Sequence, residues 1–296
     1  AASIFVPVVN LGWYTIQAAT YGHFVAQVFH MGQVGEGICM AVSAIVMGIF
    51  AMCGIGAITI LGYIAIPAIV FLSIATAIRS LGVIGGMEAL FAYVPSSDMP
   101  LFTGITAVIG TWVLSTATCI ADIMRYAKDT KAAVSATLTG LLGGNILMIV
   151  CGAIAAIAMQ NSDLTVILLG FGLVIPSLIL MTTNIFTTNA ANLYSTSLNL
   201  SNAFKMERKK MLAILLVLSA LATLTKPYEI GFLFTFLNIL GTVVPPLSGI
   251  ILSDYFLVHK GRYAAYDKAS FCKWNPVPWI TWAISIALVY MIPFGL

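Results

Sequence analysis

Residues 182–197 read TTNIFTTNAANLYSTS, directly after the oily run LLGFGLVIPSLILM of residues 168–181, with no charged residue between them. A polar side chain facing lipid is costly, so such groups face the interior of a helix bundle or a water-filled cavity. Asn184, Thr187, Thr188, Asn192 and Ser195 recur at i, i+3, i+4, i+8 and i+11. On a helix that spacing makes one polar stripe. The stripe is uncharged and rich in oxygen, which suits a hard cation such as sodium, and Thr187 and Thr188 are placed to offer hydroxyls. Helix–helix glue explains one or two such residues; five ask for a ligand.

The rest of the chain supplies the bundle. Its 296 residues are 60% hydrophobic and 8% charged, with a mean hydropathy of +1.04. A soluble domain of that size cannot leave so little polar surface for water. The apolar runs are continuous, whereas barrel strands would alternate apolar with polar residues. An all-α polytopic membrane protein follows. Windows of about 20 apolar residues give nine spans: 4–29, 37–53, 56–78, 101–123, 134–158, 172–198, 210–225, 230–257 and 277–296. MEALFAY and DLTVILLGF read as short interfacial helices before the fourth and sixth. The chain opens inside an apolar segment without an initiator Met and stops as a span finishes, which predicts a fragment of a longer protein.

Charge placement orients the spans. Eleven of the 13 Lys and Arg residues lie in RYAKDTK, FKMERKK and HKGRYAAYDKASFCKW, the connections after spans four, six and eight. Arg79 and Lys226 lie on the opposite side with Glu36, Glu88, Asp98, Asp163 and Glu229. Basic connections stay cytoplasmic, so loops 125–133, 199–210 and 259–276 face the cytoplasm of a cell-membrane protein. The positive balance then concerns topology and anionic lipid, not nucleic acid. The five cysteines have no metal-ligand spacing, and the chain holds no HExxH, G-x-S-x-G or Walker motif, so it does not read as an enzyme.

Two further spans carry ordered polar residues. Asn10, Trp13 and Gln17 share one face of the first. In the fourth, Gly104, Gly110 and six hydroxyl residues suit either close packing or a helix broken near Thr111 and Trp112, as transporters use at a substrate site. Asp122 and Arg125, at i and i+3, predict an interfacial ion pair, and a similar one is expected of Asp254. His23 is expected to hydrogen-bond a neighbour. TVVPPLSG predicts a bend in the eighth span, usable as a gate hinge.

NLGWY, GTWVLSTATCIADIMRYAKDTKAA and TNIFTTNAANLYS, with CGIGAITILGYIAIPAIVFL and VPPLSGIILSDY, resemble the nucleobase–cation symporter-1 family of purine, pyrimidine and hydantoin transporters, its cytosine permeases above all. The resemblance runs over essentially the whole chain. It implies a leucine-transporter-like inverted-repeat bundle, here family helices 3 to 11: residues 1–79 end the first repeat, 101–258 form the second, and 277–296 add a helix. By resemblance Trp13 stacks on the base, and Asn10 and Gln17 supply amides. Thr111 and Trp112 come from the unwound sixth helix, and Asn192 faces the substrate. Asn184, Thr187 and Thr188 give the eighth helix's share of a sodium site. Ala190 stands where the family often has an acid, which weakens a proton role there.

The implied function is symport of a nucleobase, cytosine first, with a cation, sodium ahead of proton, by alternating access. A flat, uncharged base suits two indoles and an amide edge. Another flat heterocycle (a purine, a hydantoin or a thiamine-precursor pyrimidine) is the near alternative. A channel-like or sensory membrane protein is the distant one. No cofactor is expected beyond the co-transported ion.

Overall fold

A computed structural model describes residues 2–95, 99–161, 164–262 and 275–292, with the side chains of 2–5, 110–119, 121, 164 and 165 outside that description. The described residues form helices and their connections. The helices are α1 (Ala2–Val28), α2 (Gln33–Met52), α3 (Ile55–Ile84), α4 (Met87–Phe91), α5 (Leu101–Met124), α6 (Thr130–Leu138), α7 (Asn145–Met159), α8 (Leu164–Gly170), α9 (Val174–Phe204), α10 (Arg208–Thr223), α11 (Ile230–Val243), α12 (Pro245–Ser253) and α13 (Val277–Met291). A π-helical stretch, Thr139–Gly144, joins α6 to α7, and another, Asp254–Val258, ends the α12 segment. The nine expected spans map in order onto α1, α2, α3, α5, α6–α7, α9, α10, α11–α12 and α13. MEALFAY and DLTVILLGF correspond to the short α4 and α8. Residues 33–52, 55–84, 130–159 and 230–258 are each long and apolar enough to cross a bilayer by length and composition.

The core is built on α1, α2, α9 and α10. Tyr14, Phe24, Met47, Met181, Leu193 and Leu212 are all buried within it. Lipid offers no hydrophobic drive between helices, so close packing through small residues has to hold them. Gly22 of α1 shows how close: a Cβ there would lie 2.3 Å from the Cα of Met40 in α2.

α1 and α9 run antiparallel in a fixed register. Thr196 reaches the Pro7 carbonyl at 3.5 Å, Asn189 Nδ2 donates to the Tyr14 carbonyl at 3.1 Å, and the Tyr21 and Thr182 hydroxyls bond at 2.8 Å. Each pair of numbers sums to 203, so the contacts repeat every seven residues, the interval at which one helix returns to the same face.

Two expectations about helix continuity came out differently. The bend at TVVPPLSG is present: α11 stops at Val243 and α12 starts at Pro245. Pro245 and Pro246 have no N–H to continue the ladder, and the Leu247 amide turns to the Val244 carbonyl. The Val243 carbonyl accepts instead from Trp282 Nε1 of α13 at 2.7 Å. The break near Gly110 and Thr111 is absent: α5 is one continuous helix from Leu101 to Met124. Gly and Thr cost a helix about 1 kcal/mol or less per residue. Without Pro no backbone donor is lost.

The described contacts gather the basic residues at two ends of the bundle. Arg125 at the end of α5, Tyr194 in the last third of α9 and Arg208 at the start of α10 lie together. The two exceptions are tied at the other end: Arg79 donates to the Phe171 carbonyl at 2.8 Å, and Lys226 pairs with Glu36 at 3.3 Å. Glu36 also accepts from His23 at 2.8 Å and from the Tyr228 hydroxyl at 2.6 Å, so His23 bonds a neighbour as expected. Lys268 and Lys273 lie outside the described residues.

Replacing Gly22 by Val should cost about 1–3 kcal/mol through overpacking and lower the melting temperature in detergent. Gly62→Ala, on open α3 surface, should leave melting unchanged or raise it slightly.

Candidate functional site

The α1–α9 seam decides which polar groups meet. At about 100° per residue, Asn10, Gln17 and Trp13 stand about 40°, 60° and 100° to one side of Tyr14. On α9, Asn192, Thr188 and Ser195 stand about 60°, 100° and 120° from Asn189 in the same rotational sense. Because the helices are antiparallel and face each other through Tyr14 and Asn189, the same sense means the same side of the pair. The two polar faces therefore lie on one side of the α1–α9 pair. Asn10 is fully buried, and Asn192 nearly so at 6% exposure.

Trp13 stands on that same side. Its ring meets Phe236 of α11 edge-on, with centroids 5.5 Å apart, and Val9, Leu240 and Val244 pack around the pair. Gly12 makes the approach possible, since a Cβ there would sit 2.8 Å from the Phe236 ring. Trp13 Nε1 and Gln17 Oε1 are both shielded from solvent and have no hydrogen-bond partner among the described residues. A buried polar atom left unmade costs on the order of 1–3 kcal/mol. Donor and acceptor thus stand ready for a neutral, hydrogen-bonding guest.

The expected cation ligands are arranged less tightly. Thr187 donates to the carbonyls of Thr183 and Asn184 at 2.8 and 2.9 Å, and Thr188 donates to that of Asn184 at 3.0 Å. A hydroxyl that donates backward keeps lone pairs for a cation, so both threonine oxygens keep acceptor capacity. Thr188 shares the side of Asn192, whereas Thr187 lies about 160° round from Asn189, at the far edge of the stripe. Asn184 borders a separate cavity of about 270 Å³ with Ser73 and Thr76 of α3 and Cys151 of α7. The side chains of Thr111 and Trp112 lie outside the described residues. Among the described residues no group of three or more His, Cys, Asp and Glu side chains is gathered for a metal.

The expected ion pair between Asp122 and Arg125 does not form. Asp122 accepts from Ser195 and, at 3.1 Å, from Asn199 Nδ2. Arg125 donates to the hydroxyls of Tyr194 at 3.1 Å and Tyr126 at 2.9 Å. Both residues turn to partners that α9 presents, in preference to each other across one turn. Asp254 does have a titratable neighbour, the His259 ring, whose Nδ1 lies 3.4 Å from Asp254 Oδ2. Tyr126, just past the end of α5, has its phenol held below the ordinary tyrosine range by the hydrogen bond with Tyr194 and then by Arg125.

Two residues of the site escaped the sequence reading. Asn189 lies inside the opening stretch but off its stripe; it is fully buried and binds the Tyr14 carbonyl and, at 3.2 Å, Met47 Sδ. Its position seven residues from both Thr182 and Thr196 was the available signal. Phe236 sits in an evenly apolar helix, where nothing in sequence distinguishes it.

A model of permeases for cytosine and purines, uracil, thiamine and allantoin matches residues 2–294. The chain belongs to that family. Its relatives are permeases, not enzymes, and it is an integral membrane protein. It is 28% identical to the cytosine permease of Escherichia coli (strain K12) over 284 residues, 96% of this chain and 66% of that permease. It is also 28% identical to the hydantoin permease of Microbacterium maritypicum, over 66% of this chain and 45% of that one. The chain thus spans slightly less than two thirds of the cytosine permease it matches. Its fold is that of Mhp1, a nucleobase-cation-symport-1 family transporter solved in a closed conformation with bromovinylhydantoin bound. The TM-score is 0.79 at 19% identity, over 99% of this chain and 70% of Mhp1. The expected leucine-transporter-like helical bundle is therefore the observed one.

Asn189→Ala should destabilise the protein by about 1–3 kcal/mol, since it removes the buried bonds to the Tyr14 carbonyl and Met47 Sδ. Thr188→Ala, which removes an exposed hydroxyl, should change stability by less than about 0.5 kcal/mol. Thermal unfolding of the two variants checks this.

Proposed function

We propose that this chain is the core of a symporter that carries a nucleobase, cytosine first, across the cell membrane together with a cation, by alternating access. The observation that carries the reading is the pair of shielded, unpartnered atoms, Trp13 Nε1 and Gln17 Oε1, beside an aromatic wall. A nucleobase is flat and neutral and presents donors and acceptors along its edge, so it answers both atoms while its face rests on the indole. Asn10 and Asn192 lie on the same side of the α1–α9 pair and add amide edges that can pair with a base. Thr111 and Trp112 are assigned the opposite wall by family resemblance.

The cation is proposed to bind at Asn184, Thr187 and Thr188, with sodium favoured over a proton. The ligand set is hydroxyl and carbonyl oxygen, and Ala190 leaves no carboxylate to titrate at that point of the stripe. Ion and base would then bind to one helix, α9, a few residues apart, which is what coupling requires. A hydantoin is the second reading, supported by the hydantoin permease relative and by the ligand in the structural relative. The same donor and acceptor pattern serves either ring.

The test is uptake of labelled cytosine by the full-length protein, competed by a panel of bases and hydantoins with and without sodium. Trp13→Ala should weaken substrate binding about 5- to 150-fold, the loss of a stacking contact of roughly 1–3 kcal/mol. Thr188→Ala should blunt the sodium dependence more than the affinity measured at saturating sodium. Saturable uptake untouched by Trp13→Ala overturns the base-binding assignment, and linear, gradient-independent flux overturns symport.

A further inference from the structure

The stripe on α9 does not end at Asn192. Asn192, Ser195 and Asn199 follow one another at three- and four-residue steps toward the cytoplasmic end of the helix, and there α5 meets them. Ser195, fully buried, donates to Asp122 Oδ2. Asn199 Nδ2 donates to the same oxygen at 3.1 Å and to the Ser195 carbonyl at 3.0 Å. One turn further along α5, Arg125 and Tyr126 close on the Tyr194 hydroxyl, each at 3.1 Å. Arg208 stacks over the other face of Tyr194 at 4.7 Å and donates to Ser197 Oγ at 3.0 Å and the Ala51 carbonyl at 2.7 Å. The cluster thus joins α5 to α9, and braces α9 against α10 and α2.

How the joint is made says what it does. α1 and α9 are locked by buried packing and by side-chain bonds to backbone carbonyls. α5 lies mainly along α11 and meets α9 sparsely, and among the described side chains these polar bonds are what joins the two at this end. They sit beside the basic cytoplasmic connection, where each donor and acceptor can exchange its partner for water when the helices part. A joint of that kind comes undone without leaving a buried group unsatisfied. Asp122 also passes over Arg125, one turn away on its own helix, and spends its acceptors across the gap.

We propose that Asp122, with Ser195 and Asn199, is a positioning device that seals the cytoplasmic end of the translocation path: closed, it holds α5 on the polar face of α9; released, it lets that face open inward. This rests on the transport reading above. Asp122 touches neither base nor ion; it acts through the placement of α5.

The test uses the full-length protein in nanodiscs, spin-labelled at Lys128 and Lys205, two exposed positions beyond the inner ends of α5 and α9. Ser195→Ala combined with Asn199→Ala should raise the long-distance population at least threefold in the absence of substrate. Asp122→Asn, which keeps the shape and weakens both bonds, should shift it the same way by a smaller factor. Ser195→Thr, which keeps the hydroxyl, should restore the wild-type distribution. The apparent affinity for cytosine added outside should fall by the factor through which the outward-competent fraction falls. A purely structural role would lower the yield of folded protein and leave the distances in the folded fraction unchanged; that result, or an unchanged distribution in Asp122→Asn, overturns the proposal. Distances that shift as described in a protein that takes up no base would uphold the latch and sink the transport reading instead.

Discussion

The antiparallel contact of α1 with α9 governs everything else in this molecule. Its three side-chain bonds, from Thr196 to Pro7, from Asn189 to Tyr14 and between Tyr21 and Thr182, fix both the register and the rotation of the pair. Rotation is the quantity that matters, because about 100° per residue then determines which faces border the same space. Had either helix turned by one residue, Trp13 or Asn192 would swing about 100° from its present direction and the two would no longer lie side by side. Asn189 sits at the middle of the seam with its amide nitrogen committed to backbone and sulfur, so it serves geometry and leaves chemistry to its neighbours.

A membrane bundle must also decide where its polar groups go, and here they are divided by depth. Where α1 ends and α2 begins, Glu36 gathers His23, Lys226 and Tyr228. In the middle lie neutral amides, hydroxyls and an indole. At the opposite end, Asp122 and Arg125 are bonded to α9. Charge is kept near the two ends of the bundle, where its desolvation is cheap, and the central layer is left to dipoles.

Much of this was legible before any coordinates. Nine apolar runs, the basic connections and the short helices at Met87 and Leu164 are each set by local composition, and the Pro245–Pro246 break follows from missing donors. The faces bearing Asn10, Trp13 and Gln17 and the stripe on α9 were likewise visible as periodicities. Asn189 was passed over because it falls off that stripe. Phe236 was invisible because one apolar residue in an apolar helix carries no mark. The break expected at Thr111 failed because small and β-branched residues permit an unwound turn without compelling one.

What the sequence determined alone was local: which segments are apolar enough to enter the bilayer, which connections gather the basic residues, and which residues share a helical face, since hydropathy, charge and 3.6-residue periodicity need no partner. The tertiary structure alone decided which faces look at each other. It turned Asp122 from the arginine one turn away to Ser195 and Asn199, and it brought Phe236 to Trp13. Those choices belong to packing, in which a side chain bonds whatever a neighbouring helix presents at that depth, and no property of a single segment encodes what its neighbour will present.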